Sequence, residues 1–286
     1  MLKNKKFIRK VLIVVLILIV SYLLYEAEDF TPNADLKIHF IDVGQADSIL
    51  ITLNDSAMLI DAGNNGDGDL VVDYLKSVNV TKLNYLIGTH PHEDHIGGLD
   101  DVINSTDIDT VLMPKAQTNT KTFEDVLDAL SSKNLKITTS QIGDTYEFDS
   151  AKFTILSIKN ETPSNLNTSS IVIRLEYGNK SFIFCGDAEF ENEKDMLKSG
   201  LTLSSDVIKI GHHGSSDTSS SANFIEAVNP EIAVICVGEG NTYGHPHQPT
   251  LDLLNKLGIK TFRTDKNGTI IITSDGTTLN VTCERN

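Results

Sequence analysis

The residues of this sequence best suited to chemistry lie in one short stretch, Thr89-His90-Pro91-His92-Glu93-Asp94-His95. Three of the eight histidines of the chain fall within it, with an aspartate between the second and the third. Clustered imidazoles repel one another when protonated, and buried ones need polar partners. Neutral imidazole nitrogens and carboxylate oxygens are typical ligands of Lewis-acidic divalent ions. The stretch therefore predicts a metal site rather than a polar turn with incidental histidines.

The elements on either side of this stretch indicate how its ligands are presented. The preceding Leu83-Asn84-Tyr85-Leu86-Ile87-Gly88 is a short apolar run that predicts a buried strand, and the glycines that follow allow a close turn into a helix. The ligands would lie at the carboxyl end of a strand, where open α/β sheets bind their ligands. At alternating positions, His90 and His92 are predicted to reach one ion, and Asp94 and His95 a second.

Three later stretches place similar residues directly after apolar runs. They are Gly186-Asp187, His212-His213-Gly214-Ser215 and Tyr243-Gly244-His245-Pro246-His247. Asp187 stands where a carboxylate is costly unless it is paired or metal-bound, although a helix N-cap is an alternative role. One of His212 and His213 is predicted to ligate metal, and the other to contact substrate or act as a general acid. His245 is a candidate on the substrate side.

The His-x-His-x-Asp-His pattern resembles the signature of the metallo-β-lactamase superfamily. With Phe40-Ile41-Asp42-Val43-Gly44-Gln45-Ala46-Asp47-Ser48 and Ile60-Asp61-Ala62-Gly63, the motifs fall in one order. That order is similar to the exported metallo-β-lactamase-like domain of the ComEC competence proteins, over residues 36 to 283. The resemblance implies an α/β fold, a four-layer αβ/βα sandwich, with two divalent ions, zinc or manganese.

The resemblance also implies roles for particular residues. Asp187 would bridge the two ions, and Asp61 would orient a ligand histidine. The implied metal ligands are His90, His92, Asp94, His95, Asp187, His212 and His213, and the implied catalytic residues are Asp94, His213 and His245. True β-lactamases and glyoxalase-type enzymes place a further ligand histidine before the late aspartate, whereas this chain has no histidine between residues 95 and 187. The first ion would keep open positions, which favours phosphodiester over β-lactam hydrolysis.

Residues 1–30 combine a basic flank with a long apolar stretch. This pattern predicts a transmembrane signal anchor with the basic end inside, and residues 31–286 as one hydrolase domain on the extracytoplasmic side of the cell membrane. A cleaved signal peptide and a secreted domain are the alternative. Short apolar runs and helical spacings predict alternating strands and helices in the body of the chain, with a flexible loop at Asn160 to Ser170.

Composition limits the partners of the chain. The net charge is −15, and residues 31–286 carry −17 because the first thirty residues are net positive. Such a surface repels polyanions unless a local positive site or metal offsets it. Lys209 is one of few basic residues near the motifs, and the serine-rich run from Ser215 to Ser221 either binds phosphate oxygens or forms a solvated loop. The three cysteines form no Cys-x-x-Cys pair, and Cys185 and Cys236 are predicted to be core residues.

The expected reaction is metal-assisted hydrolysis of a phosphodiester without an organic cofactor. The family resemblance implies DNA as substrate, in the form of a single strand outside the cell. The acidic body favours a smaller phosphodiester such as a wall-polymer head group, and an ester, a lactone or a β-lactam ranks third. A tethered metal-binding module without turnover is the alternative from another class, although structural zinc usually has four protein ligands.

Overall fold

The computed structural model of the chain describes Val15 and residues 35–285. Ala34–Asn286 forms one compact unit. Its first sheet contains β1 (Leu36–Phe40), β2 (Ile49–Leu53), β3 (Ser56–Ile60), β4 (Lys82–Ile87), β5 (Asp107–Leu112), β6 (Ile137–Thr138), β14 (Ile270–Ser274) and β15 (Leu279–Cys283), in the order β15-β14-β1-β2-β3-β4-β5-β6. The second contains β7 (Thr145–Phe148), β8 (Ala151–Ser157), β9 (Val172–Tyr177), β10 (Lys180–Phe184), β11 (Val207–Lys209), β12 (Ile232–Ile235) and β13 (Lys260–Arg263), in the order β13-β12-β11-β10-β9-β8-β7.

Eight α-helices connect the strands within residues 35–285. They are α1 (Gly68–Ser77), α2 (Glu93–Ile96), α3 (Leu99–Ser105), α4 (Lys121–Ser132), α5 (Phe190–Lys198), α6 (Ala222–Val228), α7 (Gln248–Lys256) and α8 (Thr264–Asn267). Two short 3₁₀ helices cover Leu166–Ser169 and Gly211–Gly214. Apolar faces of α1, α3 and α4 pack on the first sheet, and those of α5, α6 and α7 pack on the second.

The two sheets also meet each other. The rings of Phe40 on β1 and Phe184 on β10 lie 6.3 Å apart, and those of Tyr85 on β4 and Phe153 on β8 lie 5.0 Å apart. Because successive strand residues point to opposite faces, each sheet can bury one face against its helices and the other against its partner sheet. The predicted sandwich of two sheets with helices outside them is therefore confirmed.

The parallel parts of both sheets position the site. Strands β3 to β6 run parallel in the first sheet, and β10 to β13 run parallel in the second. The loops at the carboxyl ends of β3, β4, β10, β11 and β12 carry, in that order, the motifs of Asp61, His90, Asp187, His212 and His245. The motif from Phe40 to Ser48 follows β1 instead. Candidate ligands from both halves of the chain can therefore converge at one edge of the sandwich.

Several elements differ from their predictions. The apolar run at Val111 to Met113 predicts a short strand, whereas β5 begins earlier, at Asp107, with polar and partly exposed residues that carry no apolar signal. Strands β7 and β13 were not predicted, since their short sequences carry no clear apolar alternation. The flexible loop predicted at Asn160 to Ser170 is wrong for its second half, where Asn167 and the three residues after it are buried.

The predicted transmembrane anchor at residues 1–30 lies outside the described residues, apart from Val15. Within the part of the chain that the structure describes, no helix has both the length and the apolar character needed to cross a bilayer.

Candidate metal centre

The loop between β4 and α2 is held by a buried carboxylate. Asp61, at the end of β3, accepts hydrogen bonds from Thr89 N at 2.8 Å and Thr89 Oγ1 at 2.7 Å. Its Oδ2 also accepts the proton of His95 Nδ1 at 2.7 Å, and both side chains are fully buried. Because Nδ1 of His95 is used in this way, Nε2 is the nitrogen that faces the site and is available to a metal ion.

Four side chains converge where this loop meets the second sheet. They belong to Asp94, His95, Asp187 and His213, and their candidate ligand atoms all lie within 4.8 Å of one another. His95 Nε2 lies 3.3 Å from Asp187 Oδ1, and His213 Nε2 lies 3.2 Å from Asp94 Oδ2. His213 Nδ1 donates to the carbonyl of Cys236 at 2.9 Å, which leaves its Nε2 free as a ligand atom.

This group fits a divalent cation on two counts. His95 Nε2 and Asp187 Oδ1 are buried without a hydrogen-bond partner among the described residues, although such groups are costly to leave unpaired. Four carboxylates also lie within 3.8 Å of the His95 nitrogens, those of Asp47, Asp61, Asp94 and Asp187. Nitrogen and carboxylate donors together suit zinc or manganese.

The same crowding controls protonation when no ion is bound. Burial disfavours a proton on His95, but the carboxylates of Asp187, Asp94 and Asp61 outweigh burial and raise the pKa of His95 well above its usual range. The opposite holds for His90, because burial and the neighbouring His95 lower its pKa well below the usual value. His90 is therefore neutral, which is the form that binds metal.

The two histidines after β11 are divided between the two oxygens of Asp187. His213 faces Oδ1 at 3.7 Å, whereas His212 Nε2 faces Oδ2 at 3.7 Å. Both histidines have positive φ, 47° and 51°, a left-handed conformation that turns their side chains apart. The hydroxyl of Thr218 accepts the proton of His212 Nδ1 at 2.7 Å and donates to Ser215 Oγ, so the His212 Nε2 lone pair points to Asp187.

The ligands predicted for the first ion are less closely grouped. His90 Nε2 and His92 Nδ1 lie 3.0 Å apart, and the rings of His90 and His95 lie 4.2 Å apart. His90 and His92 are not in the compact group with Asp187, and a first ion held by all three stays a prediction. The structure thus brings every predicted ligand to one site. The ligands predicted for the second ion, Asp94, His95 and His213, are grouped most tightly.

An open cavity of about 470 Å³ lies over these side chains. Among the described residues that line it are Gln45, Asn64, Asn167, Tyr243 and His245, besides the candidate ligands. His245 Nδ1 is buried without a partner, and its ring lies 5.7 Å from that of His212. Burial and the neighbouring His213 and His212 lower the pKa of His245 to about 4, so its imidazole is neutral at pH 7.

A buried ion pair beneath the site was not foreseen. Lys209 is fully buried, donates to the carbonyl of Gly186 at 3.0 Å and forms a close ion pair with Asp47. Asp47 in turn lies 3.6 Å from His213 Nδ1 and 3.8 Å from His95 Nδ1. Lys209 is therefore unavailable to neutralise a phosphate. A lone lysine inside the apolar run of β11 was the signal, because such a charge requires a buried partner.

The serine-rich run from Ser215 to Ser221 is only partly solvated, since Ser215, Ser219 and Ser220 are buried, and its phosphate-binding role stays a prediction. Ser219 is buried and donates to the carbonyl of Gly211 at 2.9 Å, while the backbone N–H groups of Ser220 and Ser221 donate to the Glu193 carboxylate. These polar groups are satisfied internally, and the run shapes the loop that carries His212 and His213.

Comparisons with known proteins agree with this geometry. A family model described as "Metallo-beta-lactamase superfamily" matches residues 41–239, more than half of the chain. ComE operon protein 3 of Bacillus subtilis is 31% identical over 257 residues, which cover 83% of this chain and 33% of that protein. Competence protein ComA of Neisseria gonorrhoeae is 27% identical over 256 residues, 89% of this chain and 34% of that protein. The chain thus spans about a third of the length of these relatives.

A solved structure shows the same fold. The metallo-beta-lactamase fold protein YhfI of Bacillus subtilis superposes with a TM-score of 0.58 at 11% identity, covering 85% of this chain and 100% of that one. At that identity the likeness concerns the fold alone. Three of the curated relatives, ComE operon protein 3, ComA and Recombination protein 2 of Haemophilus influenzae, are competence proteins of the ComEC type. On the family match, the sandwich and the His/Asp cluster, the chain belongs to the metallo-β-lactamase superfamily of metal-dependent hydrolases.

Proposed function

We propose that this chain is a phosphodiesterase with two divalent metal ions, zinc or manganese, that acts on nucleic acid outside the cytoplasm. The observation that carries the proposal is the position of Asp187, whose Oδ1 faces His95 and His213 while its Oδ2 faces His212. Oδ1 completes the compact group with Asp94, and Oδ2 lies outside that group and is available to a second ion, so the carboxylate suits a bridging ligand between two ions. The open cavity above it leaves room for a substrate phosphate.

In this proposal one ion would be held by Asp94, His95 and His213 and the other by His90 and His92, and both would share Asp187. Bound divalent ions supply Lewis-acid chemistry, since they lower the pKa of water and neutralise charge on phosphoryl oxygens. Asp61 fixes the tautomer of His95, and the Cys236 carbonyl does the same for His213. His245, neutral at pH 7, offers a hydrogen bond to the substrate or accepts a proton there rather than delivering one.

Two observations bear on the substrate. The relatives, one of them named a competence protein, make nucleic acid the first candidate polymer, and the basic flank and apolar stretch of residues 1–30 are the reason to propose an extracytoplasmic, membrane-anchored domain. None of the described residues that line the cavity is a lysine or an arginine, and the body of the chain is strongly acidic. That second observation favours a smaller phosphodiester, such as a wall-polymer head group, as the alternative substrate.

The test uses the full chain, stripped of metal and reloaded separately with zinc and with manganese. Turnover is measured side by side on bis(p-nitrophenyl) phosphate, single-stranded DNA and nitrocefin. Metal-dependent cleavage of the first two is expected, and Asp187→Ala should abolish it. Asp73→Ala is the matched control, because it also removes one carboxylate but from a side chain that is 75% exposed on α1.

The outcomes separate the candidates. Cleavage of the small diester alone would replace DNA by a small phosphodiester as substrate. Cleavage of nitrocefin alone would refute the phosphodiesterase proposal. Two bound ions per chain without turnover of any substrate would support the tethered metal-binding module instead.

A further inference from the structure

Tyr243 presents an aromatic ring at the mouth of the cavity. The side chain is 68% exposed, yet its ring stacks on His245 with 5.7 Å between centroids and an interplanar angle of 21°. His245 stacks in turn on His213, 6.4 Å away at 24°. The three stacked rings thus extend from the solvent-exposed Tyr243 to His213, which contacts Asp94.

The loop that carries this ring is held in place by its own hydrogen bonds. The side chain of Asn241 donates to the carbonyls of Gly238 at 3.0 Å and His245 at 2.7 Å. It also accepts from the backbone N–H of His245 at 3.0 Å. Tyr243 therefore lies on a turn held by hydrogen bonds, with its ring stacked on His245 and most of its side chain open to solvent.

A ring exposed to this degree has no folding role that would explain it. Burial of aromatic area stabilises a fold, but most of the Tyr243 side chain is not buried and so adds little stability. The ring lies instead at the edge of the cavity. Among the described residues, its hydroxyl has no hydrogen-bond partner. The exposed ring is therefore available to stack against a flat ligand group, which is a common use of exposed aromatic residues in nucleic-acid binding.

The charge of the site limits which ligand that is. A long polyanion is normally attracted by lysine and arginine, and the described lining of the cavity contains neither. Stacking of a nucleobase on an aromatic ring needs no positive charge. A polyol or wall-polymer head group offers no aromatic face to the ring. The base must also be unpaired, because a base within a duplex is already stacked on both faces.

We infer that Tyr243 is a specificity-determining residue that stacks an unpaired nucleobase beside the phosphodiester in the metal site. The inference rests on the proposed function. In it, stacking of the base supplies the affinity that lysine and arginine would otherwise give. Tyr243 touches the base rather than the reacting phosphate, so its removal should raise KM far more than it lowers kcat.

The experiment compares two oligonucleotides with the metal-loaded full chain. One is a single-stranded DNA, and the other has the same length and the same phosphates but tetrahydrofuran abasic sites in place of the bases. The measured quantity is the ratio of kcat/KM for the two substrates in the wild type, Tyr243→Leu and Tyr243→Phe. The preference for bases should fall by roughly five- to hundredfold in Tyr243→Leu, the range that one stacking contact supplies. The phenylalanine variant should retain it.

A second readout does not depend on turnover. Binding of adenosine 5′-monophosphate and of ribose 5-phosphate to the same proteins is measured by isothermal titration calorimetry. The wild type should bind the nucleotide more tightly than the sugar phosphate, and Tyr243→Leu should remove most of that difference. An unchanged base preference in Tyr243→Leu, or an equal loss on both oligonucleotides, overturns the inference while the phosphodiesterase proposal stands. Tyr243-dependent nucleotide binding without cleavage of any phosphodiester supports the inference as a binding role and overturns the proposed reaction.

Discussion

Replacing Lys209 by methionine should lower the free energy of unfolding by about 3–5 kcal/mol. The ammonium group is fully buried, and its partners are Asp47 and the carbonyl of Gly186. Burial disfavours its charge, but the carboxylates of Asp47 and Asp187 outweigh burial and raise the pKa of Lys209. Methionine has a similar length, so little cavity is created. The main loss is the buried Asp47 carboxylate left without its counter-charge.

The measurement is urea unfolding followed by far-UV circular dichroism, because the chain contains no tryptophan. A chelator is present throughout, so that altered metal affinity does not change the apparent stability. Lys76→Met is the control, since Lys76 is 66% exposed in its pair with Asp73 and should change stability by less than about 1 kcal/mol. Asp47→Asn and the Lys209→Met/Asp47→Asn double variant complete the cycle.

The double variant should be less destabilised than the sum of the single variants, because it no longer buries an unpaired charge. The reasoning is refuted if Lys209→Met costs no more than the control. Strict additivity of the two single variants would also contradict it, because two groups in direct contact should couple.

Burial lowers the pKa of His39 from 6.5 to about 4. Between these two pH values the unfolded chain binds more protons than the folded one, so the free energy of unfolding should fall by about 3 kcal/mol as the pH drops from 6.5 to about 4. In denaturant titrations His39→Gln should lose that pH dependence relative to the wild type. Asp61→Asn should weaken metal binding by about ten- to hundredfold in calorimetry, because it loosens the orientation of His95, and an unchanged affinity would exclude that role. Gly97→Ala should destabilise the fold by about 1–3 kcal/mol, because a Cβ there would lie 2.2 Å from backbone atoms of Asn64-Asn65. Gly66→Ala, with nothing within 4 Å of its Cβ, should have a much smaller effect in the same thermal scans.

Local patterns were sufficient for most of the fold. Apolar runs such as Leu83 to Ile87 and helical spacings such as that of α4 predict elements that the structure confirms within a few residues. The spacing also identified the centre of the site, because His90, His92, Asp94 and His95 lie within six consecutive positions and are therefore close in space in any fold. Strands β7 and β13 were not predicted, because their side chains are mostly exposed or only partly buried and their sequences carry little apolar pattern.

Contacts between residues far apart in the chain could not be predicted from local sequence patterns. Lys209 and Asp47 are 162 positions apart, and they meet only because the loop after β1 in one sheet reaches the end of β11 in the other. The order of His212 and His213 was likewise undecided in the sequence. The left-handed backbone at both residues separates their side chains, and the Cys236 carbonyl, 23 positions away, accepts the proton of His213 Nδ1.

The residue types at strand ends therefore specify a metal-dependent hydrolase, because ligand chemistry and turn geometry act over a few neighbouring positions. The assignment of each ligand, the buried ion pair below them and the aromatic ring at the mouth of the cavity depend on how two sheets pack. Packing brings together side chains whose separation along the chain carries no information about their distance in space.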